Sequence, residues 1–162
     1  MKYALLSDSH DNLTNLQGAI RIAKGLKPKA LIFLGDFSTS ASFDCLSQAG
    51  LPLYFVFGNV ESEVEKIVNK AKLMDNIRFG MEILEFRLDQ RNIAICHKPE
   101  RAYELAFSKN YDAVFHGHTH KAKSEMVGNT LLANPGEIFG RLGNPSLGIY
   151  DSAENSIKII KF

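Results

Sequence analysis

The amino-acid sequence predicts an α/β protein in which two β-sheets pack face to face, with helices on the outside. The first half alternates short apolar runs with segments of helical periodicity, the pattern of a parallel sheet built from β-α-β units. The second half contains mainly short apolar segments separated by turns. The chain has 162 residues and shows no linker, repeat or low-complexity segment. We therefore expect a single domain, residues 1–162.

The first half supplies three strands and three helices. Lys2–Ser7 is apolar on both faces, which is typical of a central strand. Helical spacing then begins at Leu13, and Gly25 ends that helix. The remaining elements predicted in this half are a strand at Ala30–Leu34, a helix at Ala41–Gln48, a strand at Leu53–Phe57 and a helix at Glu61–Leu73.

The second half changes to strands joined mostly by turns. Gly128-Asn129 lies between two short strand-like segments and is a strong hairpin signal. Pro99 suits the first turn of a helix that continues to Lys109. The predicted strands are Met81–Leu88, a segment ending at His97, Ala113–Phe115, Ser124–Val127, Thr130–Ala133, Leu147–Tyr150 and Ile157–Phe162.

Composition and charge exclude several classes of protein. Apolar residues make up 45% and charged residues 23%, with a formal charge of +1. This balance gives no strong nucleic-acid signal and no case for an anionic membrane. No apolar run approaches the ~20 residues that span a bilayer, and the first residues enter a strand without a leader pattern. Cys45 and Cys96 lie far apart, so we expect a reduced, cytoplasmic protein without disulfides.

Five of the predicted strands end in polar residues that bind metals in proteins. The chain has five histidines, and three of them lie within His116–His120. Strand ends of an open α/β sheet meet at one rim, where such folds build their sites. The candidate metal ligands at these strand ends are Asp8, His10, Asp36, Asn59, His97, His118 and His120.

The candidate ligands are imidazoles, carboxylates and one amide oxygen, without a thiolate. This mixture suits a borderline divalent ion such as Mn, Fe, Co, Ni or Zn, and Mn is our first choice. A structural zinc site would use cysteines and four ligands. So many ligands suit two cations about 3.5–4 Å apart, an arrangement that clamps oxygens in phosphoryl transfer. Each motif alone also fits an ordinary turn or a core histidine, but their joint occurrence favours a metal centre.

These residues resemble, in order, the five sequence blocks of the calcineurin-like metallophosphoesterases. The blocks here are Ser7–His10, Gly35-Asp36, Gly58-Asn59, His97 and Gly117–His120. Chain length and the late segment Asn134–Glu137 look like the small YfcE-type branch, to which the retromer subunit of vacuolar sorting is related. The resemblance covers essentially the whole chain. It implies a four-layer α/β/β/α sandwich with two mixed β-sheets.

The resemblance also implies a dinuclear site and a reaction. The implied ligands are Asp8, His10 and His120 for one metal, Asn59, His97 and His118 for the other, and Asp36 as a bridge between them. A hydroxide bridging the two metals would attack phosphorus in line. Asp36, Asn59 and His97 are therefore catalytic candidates as well as ligands. The implied partner is a small phosphoester, with a phosphodiester favoured over a monoester.

Three positions depart from the pattern of the relatives. Larger family members have histidine where this chain has Val60, and Val60 cannot protonate a leaving group. Small-branch members often have His-Gly-His where this chain has His97-Lys98-Pro99, so Lys98 either contacts a substrate phosphate or is simply solvated. His116 is a further catalytic candidate as a leaving-group acid, the alternative being a buried, hydrogen-bonded histidine.

Two other functions compete with the metal-dependent phosphodiesterase. A non-catalytic metal-binding scaffold of the retromer-subunit type would keep the fold as an interaction surface. A scaffold can lose ligands without penalty, so the full ligand set favours the enzyme. A single-metal hydrolase or oxygenase would leave several strand-end residues without a role. The sequence leaves the substrate, the native metal and the formation of a homo-oligomer open.

Overall fold

The computed structural model describes residues 1–162, with eleven strands and four helices. The strands are β1 (Lys2–Leu6), β2 (Leu31–Phe33), β3 (Leu53–Val56), β4 (Ile77–Gly80), β5 (Ile83–Leu88), β6 (Arg91–Cys96), β7 (Ala113–Phe115), β8 (Lys123–Val127), β9 (Thr130–Asn134), β10 (Ser146–Asp151) and β11 (Ser156–Lys161). The helices are α1 (Leu13–Gly25), α2 (Ser40–Ser47), α3 (Val64–Ala71) and α4 (Pro99–Phe107). None of these helices has the length and apolar character that crossing a bilayer requires.

The strands form two mixed sheets. Sheet A has six strands in the order β11-β10-β1-β2-β3-β4, and sheet B has five in the order β5-β6-β7-β9-β8. In sheet A, β1 to β4 run parallel and β10 pairs antiparallel with β1. In sheet B, β6, β7 and β9 run parallel between the antiparallel strands β5 and β8. The carboxyl ends of five parallel strands can therefore lie at one rim of the molecule, namely those of β1, β2, β3, β6 and β7.

Alternation along the strands divides the core into three apolar layers. In β1, Ala4 and Leu6 pack against α1 to α3, whereas Tyr3 and Leu5 face sheet B. In β7, Phe115 faces sheet A and Val114 packs under α4. The molecule is therefore a four-layer α/β/β/α sandwich, as expected from the sequence.

The strand expected over Met81–Leu88 is present as β5, which begins at Ile83. The sequence did not predict β4, which precedes β5 and pairs parallel with β3 at the edge of sheet A. The helix expected from Glu61 begins only at Val64. Glu61 and Glu63 precede it, and their carboxylates accept hydrogen bonds from the backbone N–H groups of Phe37 and of Ser40, the first residue of α2.

Candidate metal centre

The loops after five strands bring all the predicted ligands to one rim of the sandwich. Asp8 and His10 follow β1, and Asp36 follows β2. The third strand of sheet A that ends at this rim is β3, which is followed by Asn59. Two parallel strands of sheet B end at the same rim, with His97 after β6 and with His118 and His120 after β7.

The backbone at this rim is held in an unusual conformation. Left-handed φ angles occur at Asp8 (54°), His10 (43°), Asp36 (62°), His118 (69°) and His120 (59°). Residues with side chains rarely adopt such angles, and strained residues of this kind cluster at functional sites. The sharp turns point the side chains back across the ends of the strands, which a smoothly continuing strand could not do.

The first ligand group comprises Asp8, His10, Asp36 and His120, whose donor atoms all lie within 4.8 Å of one another. The Nε2 atoms of His10 and His120 are 3.2 Å apart. His120 Nε2 is 3.4 Å from Asp8 Oδ1, and His10 Nε2 is 3.5 Å from Asp36 Oδ2. This half of the site is therefore ringed by two carboxylates and two imidazoles.

The second ligand group comprises Asp36, His97 and His118. His97 Nε2 lies 3.2 Å from Asp36 Oδ1 and 3.2 Å from His118 Nδ1. Asn59 joins this group through its Oδ1 atom, 3.1 Å from the same Nε2 atom. Asp36 is thus common to both groups, with Oδ2 toward the first and Oδ1 toward the second.

The donor chemistry of the second group fits a cation. His97 Nδ1 lies 2.7 Å from the backbone oxygen of Leu34, which can only accept a hydrogen bond. Nδ1 therefore carries the proton, and in the neutral ring Nε2 presents a lone pair toward Asp36 Oδ1 and Asn59 Oδ1. Three acceptors facing one another at this range repel, so a proton or a metal ion must lie between them.

Close packing at Gly117 and an unpaired hydroxyl at Ser7 also characterise this rim. A side chain at Gly117 would collide with Ser7 Oγ and Asp8 Oδ2. Ser7 Oγ is the buried side-chain polar atom without a hydrogen-bond partner, and it neighbours Asp8. An orphaned hydroxyl beside a buried carboxylate is expected where a ligand completes the site. The residues present therefore fit divalent cations.

The electrostatics of the metal-free site reflect the same demand for positive charge. Burial raises the pKa of Asp8 to about 6, against the opposing charges of His97 and His120. Burial also opposes ionisation of Asp36, but its hydrogen bond and charge interaction with His97 outweigh it and lower the pKa. The pKa of His97 is raised, because Asp36 outweighs the effect of burial. Burial lowers the pKa of His10 and of His118.

Three residues that support the ligands were not assigned a role from the sequence. Glu61 Oε1 accepts hydrogen bonds from the N–H groups of Phe37 and Gly58, both at 3.0 Å. It thereby joins the loops that carry Asp36 and Asn59. The sequence signal that could have indicated this role is the position of Glu61, two residues after the candidate ligand Asn59.

The segment Asn134–Glu137 contributes the other two supporting residues. The amide of Asn134 donates to the Gly117 carbonyl at 2.8 Å and to Thr119 Oγ1 at 3.0 Å. Glu137 is buried, and its Oε2 atom lies 2.7 Å from His120 Nδ1. The family resemblance implied that Asn134-Pro135-Gly136 packs beside the site, with an ordinary turn as the alternative. The structure places the segment there and shows which atoms it contacts.

His116 and Val60 lie beside the ligands but outside both groups. His116 is buried and its Nδ1 atom is 3.0 Å from the oxygen of Gly117. Burial lowers its pKa. Val60 is partly exposed at 37%. No hydrogen bond links His116 to a candidate ligand side chain, so the structure brings together every predicted ligand but leaves this histidine apart.

Residues 1–155 match the family model of the calcineurin-like phosphoesterase superfamily domain. The chain belongs to this superfamily. A curated relative, the phosphodiesterase MJ0936 of Methanocaldococcus jannaschii, is 29% identical over 163 residues, which cover 99% of this chain and 98% of the relative.

Solved structures of this superfamily share the fold. An archaeal phosphodiesterase superposes with a TM-score of 0.91 at 28% identity and full coverage of both chains. YfcE, a phosphoesterase from E. coli, gives a TM-score of 0.71 at 19% identity over 99% of both chains. Vps29 from Entamoeba histolytica, solved with Zn²⁺, gives 0.68 at 17% identity, covering 100% of this chain and 98% of Vps29. The last two similarities establish the fold alone.

Proposed function

We propose that this protein is a phosphodiesterase whose centre holds two divalent cations, with Mn as the first choice. The observation that carries the proposal is Asp36, whose two oxygens face separate ligand groups at 3.5 and 3.2 Å from their nearest imidazole nitrogens. Cations held there by these residues would supply a nucleophilic hydroxide near neutral pH and would offset charge on the phosphoryl oxygens.

The side chains of this chain do the positioning. Asp36 provides negative charge to both groups, which would reduce the repulsion between two cations held there. The Leu34 carbonyl keeps the proton of His97 on Nδ1, so Nε2 stays available as a ligand. Asn59 contributes a neutral side-chain oxygen, and its backbone N–H donates a hydrogen bond to Asp36 Oδ1 at 2.8 Å. This bond keeps the shared carboxylate from rotating away.

A diester substrate is supported by a cavity beside the second ligand group. The cavity encloses about 270 Å³ and is lined by Asn59, His97, Met81, Lys98 and Arg101, among others. Such a volume accommodates a substituent of modest size on the phosphorus. Two cationic side chains on its wall suit an ester group that carries further oxygens. The fold relatives that are phosphodiesterases support the same substrate class.

The test combines metal content with hydrolysis of bis(p-nitrophenyl) phosphate in the presence of Mn²⁺. Wild-type protein should bind two metals per chain and hydrolyse the diester. Asp36→Asn should lower occupancy at both positions and abolish hydrolysis, because a neutral amide loses the charge that both cations share. Asp44→Asn is the matched control, since Asp44 pairs with Lys70 and belongs to neither ligand group.

The outcomes separate enzyme from scaffold. Two metals with no hydrolysis of any diester would favour an interaction module of the kind implied by the retromer resemblance. An Asp36→Asn protein that keeps two metals and near wild-type activity would refute the shared role of this carboxylate.

A further inference from the structure

Glu137 is a buried carboxylate that touches the candidate metal centre without belonging to either ligand group. Only 2% of its surface is exposed, and no Lys or Arg pairs with it. Its Oε2 atom lies 2.7 Å from His120 Nδ1, and its Oε1 atom accepts the N–H of Leu142 at 2.5 Å. Both carboxylate oxygens therefore have fixed partners.

This contact determines the form of the His120 ring. A carboxylate only accepts hydrogen bonds, so Nδ1 of His120 carries the proton and donates it to Glu137. In the neutral ring the lone pair is then on Nε2. That atom faces the first ligand group, 3.2 Å from His10 Nε2 and 3.4 Å from Asp8 Oδ1.

We propose that Glu137 is a positioning residue that fixes the tautomer and orientation of His120 and thereby sets cation affinity at the first ligand group. His97 is oriented differently, by the neutral carbonyl of Leu34. A carboxylate partner adds charge and makes the ring a stronger ligand than a carbonyl partner does. The inference rests on the proposed function, because it assumes that the first group holds a metal ion.

A substitution by glutamine is the sharpest change at this position. The side chain keeps its shape, but an amide has one accepting oxygen where the carboxylate has two. The N–H of Leu142 always donates, so it takes that oxygen. The amide NH₂ then faces His120 Nδ1 and forces the proton onto Nε2, which blocks the lone pair needed by a cation.

The competing donor can be removed separately. Leu142 is 64% exposed and lies outside the helices and strands, so Leu142→Pro removes this N–H at a surface position. In the double variant Glu137→Gln/Leu142→Pro, the amide oxygen is free to accept from His120 Nδ1. The double variant should therefore regain the tautomer that Glu137→Gln alone loses, a rescue that a merely structural role would not produce.

The first measurement needs no metal. Long-range ¹⁵N–¹H spectra of histidine-labelled, metal-free protein, at a pH where imidazoles are neutral, report which ring nitrogen carries the proton. The His120 signals are assigned by their loss in His120→Ala. We expect Nδ1–H in the wild type and in Leu142→Pro, Nε2–H in Glu137→Gln, and Nδ1–H again in the double variant.

The second measurement is calorimetric titration with Mn²⁺. Glu137→Gln should weaken one of two dissociation constants by about 10- to 100-fold, with the other unchanged and with partial recovery in the double variant. Nε2–H in the wild type, or two unchanged constants in Glu137→Gln, would overturn the inference. A wild type that binds no Mn²⁺ would refute the proposed function and the affinity half of the inference, whereas the tautomer decides the positioning half by itself.

Discussion

At the scale of single residues, Asp8 shows the cost of assembling this site. It is fully buried, and burial raises its pKa to about 6 against the ordinary value of 3.8. Near neutral pH the carboxylate is charged in a place that disfavours charge. A divalent cation bound beside Asp8 would offset this penalty, so the same burial that destabilises the metal-free protein would favour cation binding.

The first prediction is a pH effect on the metal-free protein. An acid with a raised folded pKa binds more protons when folded, so the free energy of unfolding falls as pH rises from about 4 to about 6. Asp8→Asn should remove this fall and be more stable near pH 7 by roughly 2–3 kcal/mol. Denaturant unfolding of both proteins from pH 4 to pH 8, in chelator, measures it. Parallel curves would contradict the assignment.

A second residue-scale prediction concerns the leaving group. Val60 carries no proton, and a general acid contributes about 10²–10⁴-fold when the leaving group is poor. The wild type should therefore lose rate steeply as leaving-group pKa rises, and Val60→His should flatten that dependence. The measurement is log(kcat/KM) against leaving-group pKa.

His116→Ala is the control for that series. If His116 is a structural group, this variant keeps the wild-type slope. A shallow wild-type slope that steepens only in His116→Ala would make His116 the acid.

At the scale of elements, five parallel strands are each followed by a loop that carries candidate ligands, namely β1, β2, β3, β6 and β7. β2 has three residues, and the chain turns at Gly35 and Asp36 immediately after it. Such loops need outside support because they lack regular backbone pairing. Glu61 supplies it by accepting N–H groups from the loops after β2 and β3.

We therefore predict that Glu61→Ala loosens both loops at once. It leaves backbone donors at Phe37 and Gly58 without their partner, which costs about 1–3 kcal/mol each when buried. Thermal unfolding should shift downward, and Mn²⁺ affinity should fall in calorimetry because Asp36 and Asn59 lose their relative placement. Glu65→Ala, on the exposed side of α3, is the control and should change neither. Unchanged metal binding in Glu61→Ala would contradict the role.

At the scale of the whole molecule, the two ends of the chain share one sheet. β10 lies beside β1 in sheet A, with Tyr3 opposite Tyr150. Both tyrosines face the layer between the sheets. Because early and late segments complete the same core, we propose that residues 1–162 form one domain that unfolds as a unit.

This proposal predicts coincident transitions. Tyrosine fluorescence reports two apolar layers, with Tyr3, Tyr54 and Tyr150 between the sheets and Tyr103 and Tyr111 under α4. Far-ultraviolet circular dichroism reports all elements. Urea titrations of the metal-free protein should give the same midpoint by both probes. Separate midpoints would show that one sheet unfolds independently.

The fold class could be predicted from the sequence because it is indicated by patterns within short stretches of the chain. Apolar runs of strand length and helical spacing from Leu13 marked most elements within a few residues. The strand β4 was not predicted, since Ile77–Gly80 is short, ends in glycine and has only one buried side chain. Pairing with β3 decides that strand, and pairing partners are not visible in a local window.

The candidate ligands could be named from the sequence, because polar residues that follow parallel strands of one sheet lie at the same edge of that sheet. The tertiary structure alone decided what holds them. Which nitrogen of His120 faces the centre depends on Glu137, which is 17 residues away, and the direction of His97 depends on a carbonyl 63 residues away. Hydrogen bonds between such distant segments depend on ångström-scale placement, which residue type and spacing along the chain do not encode.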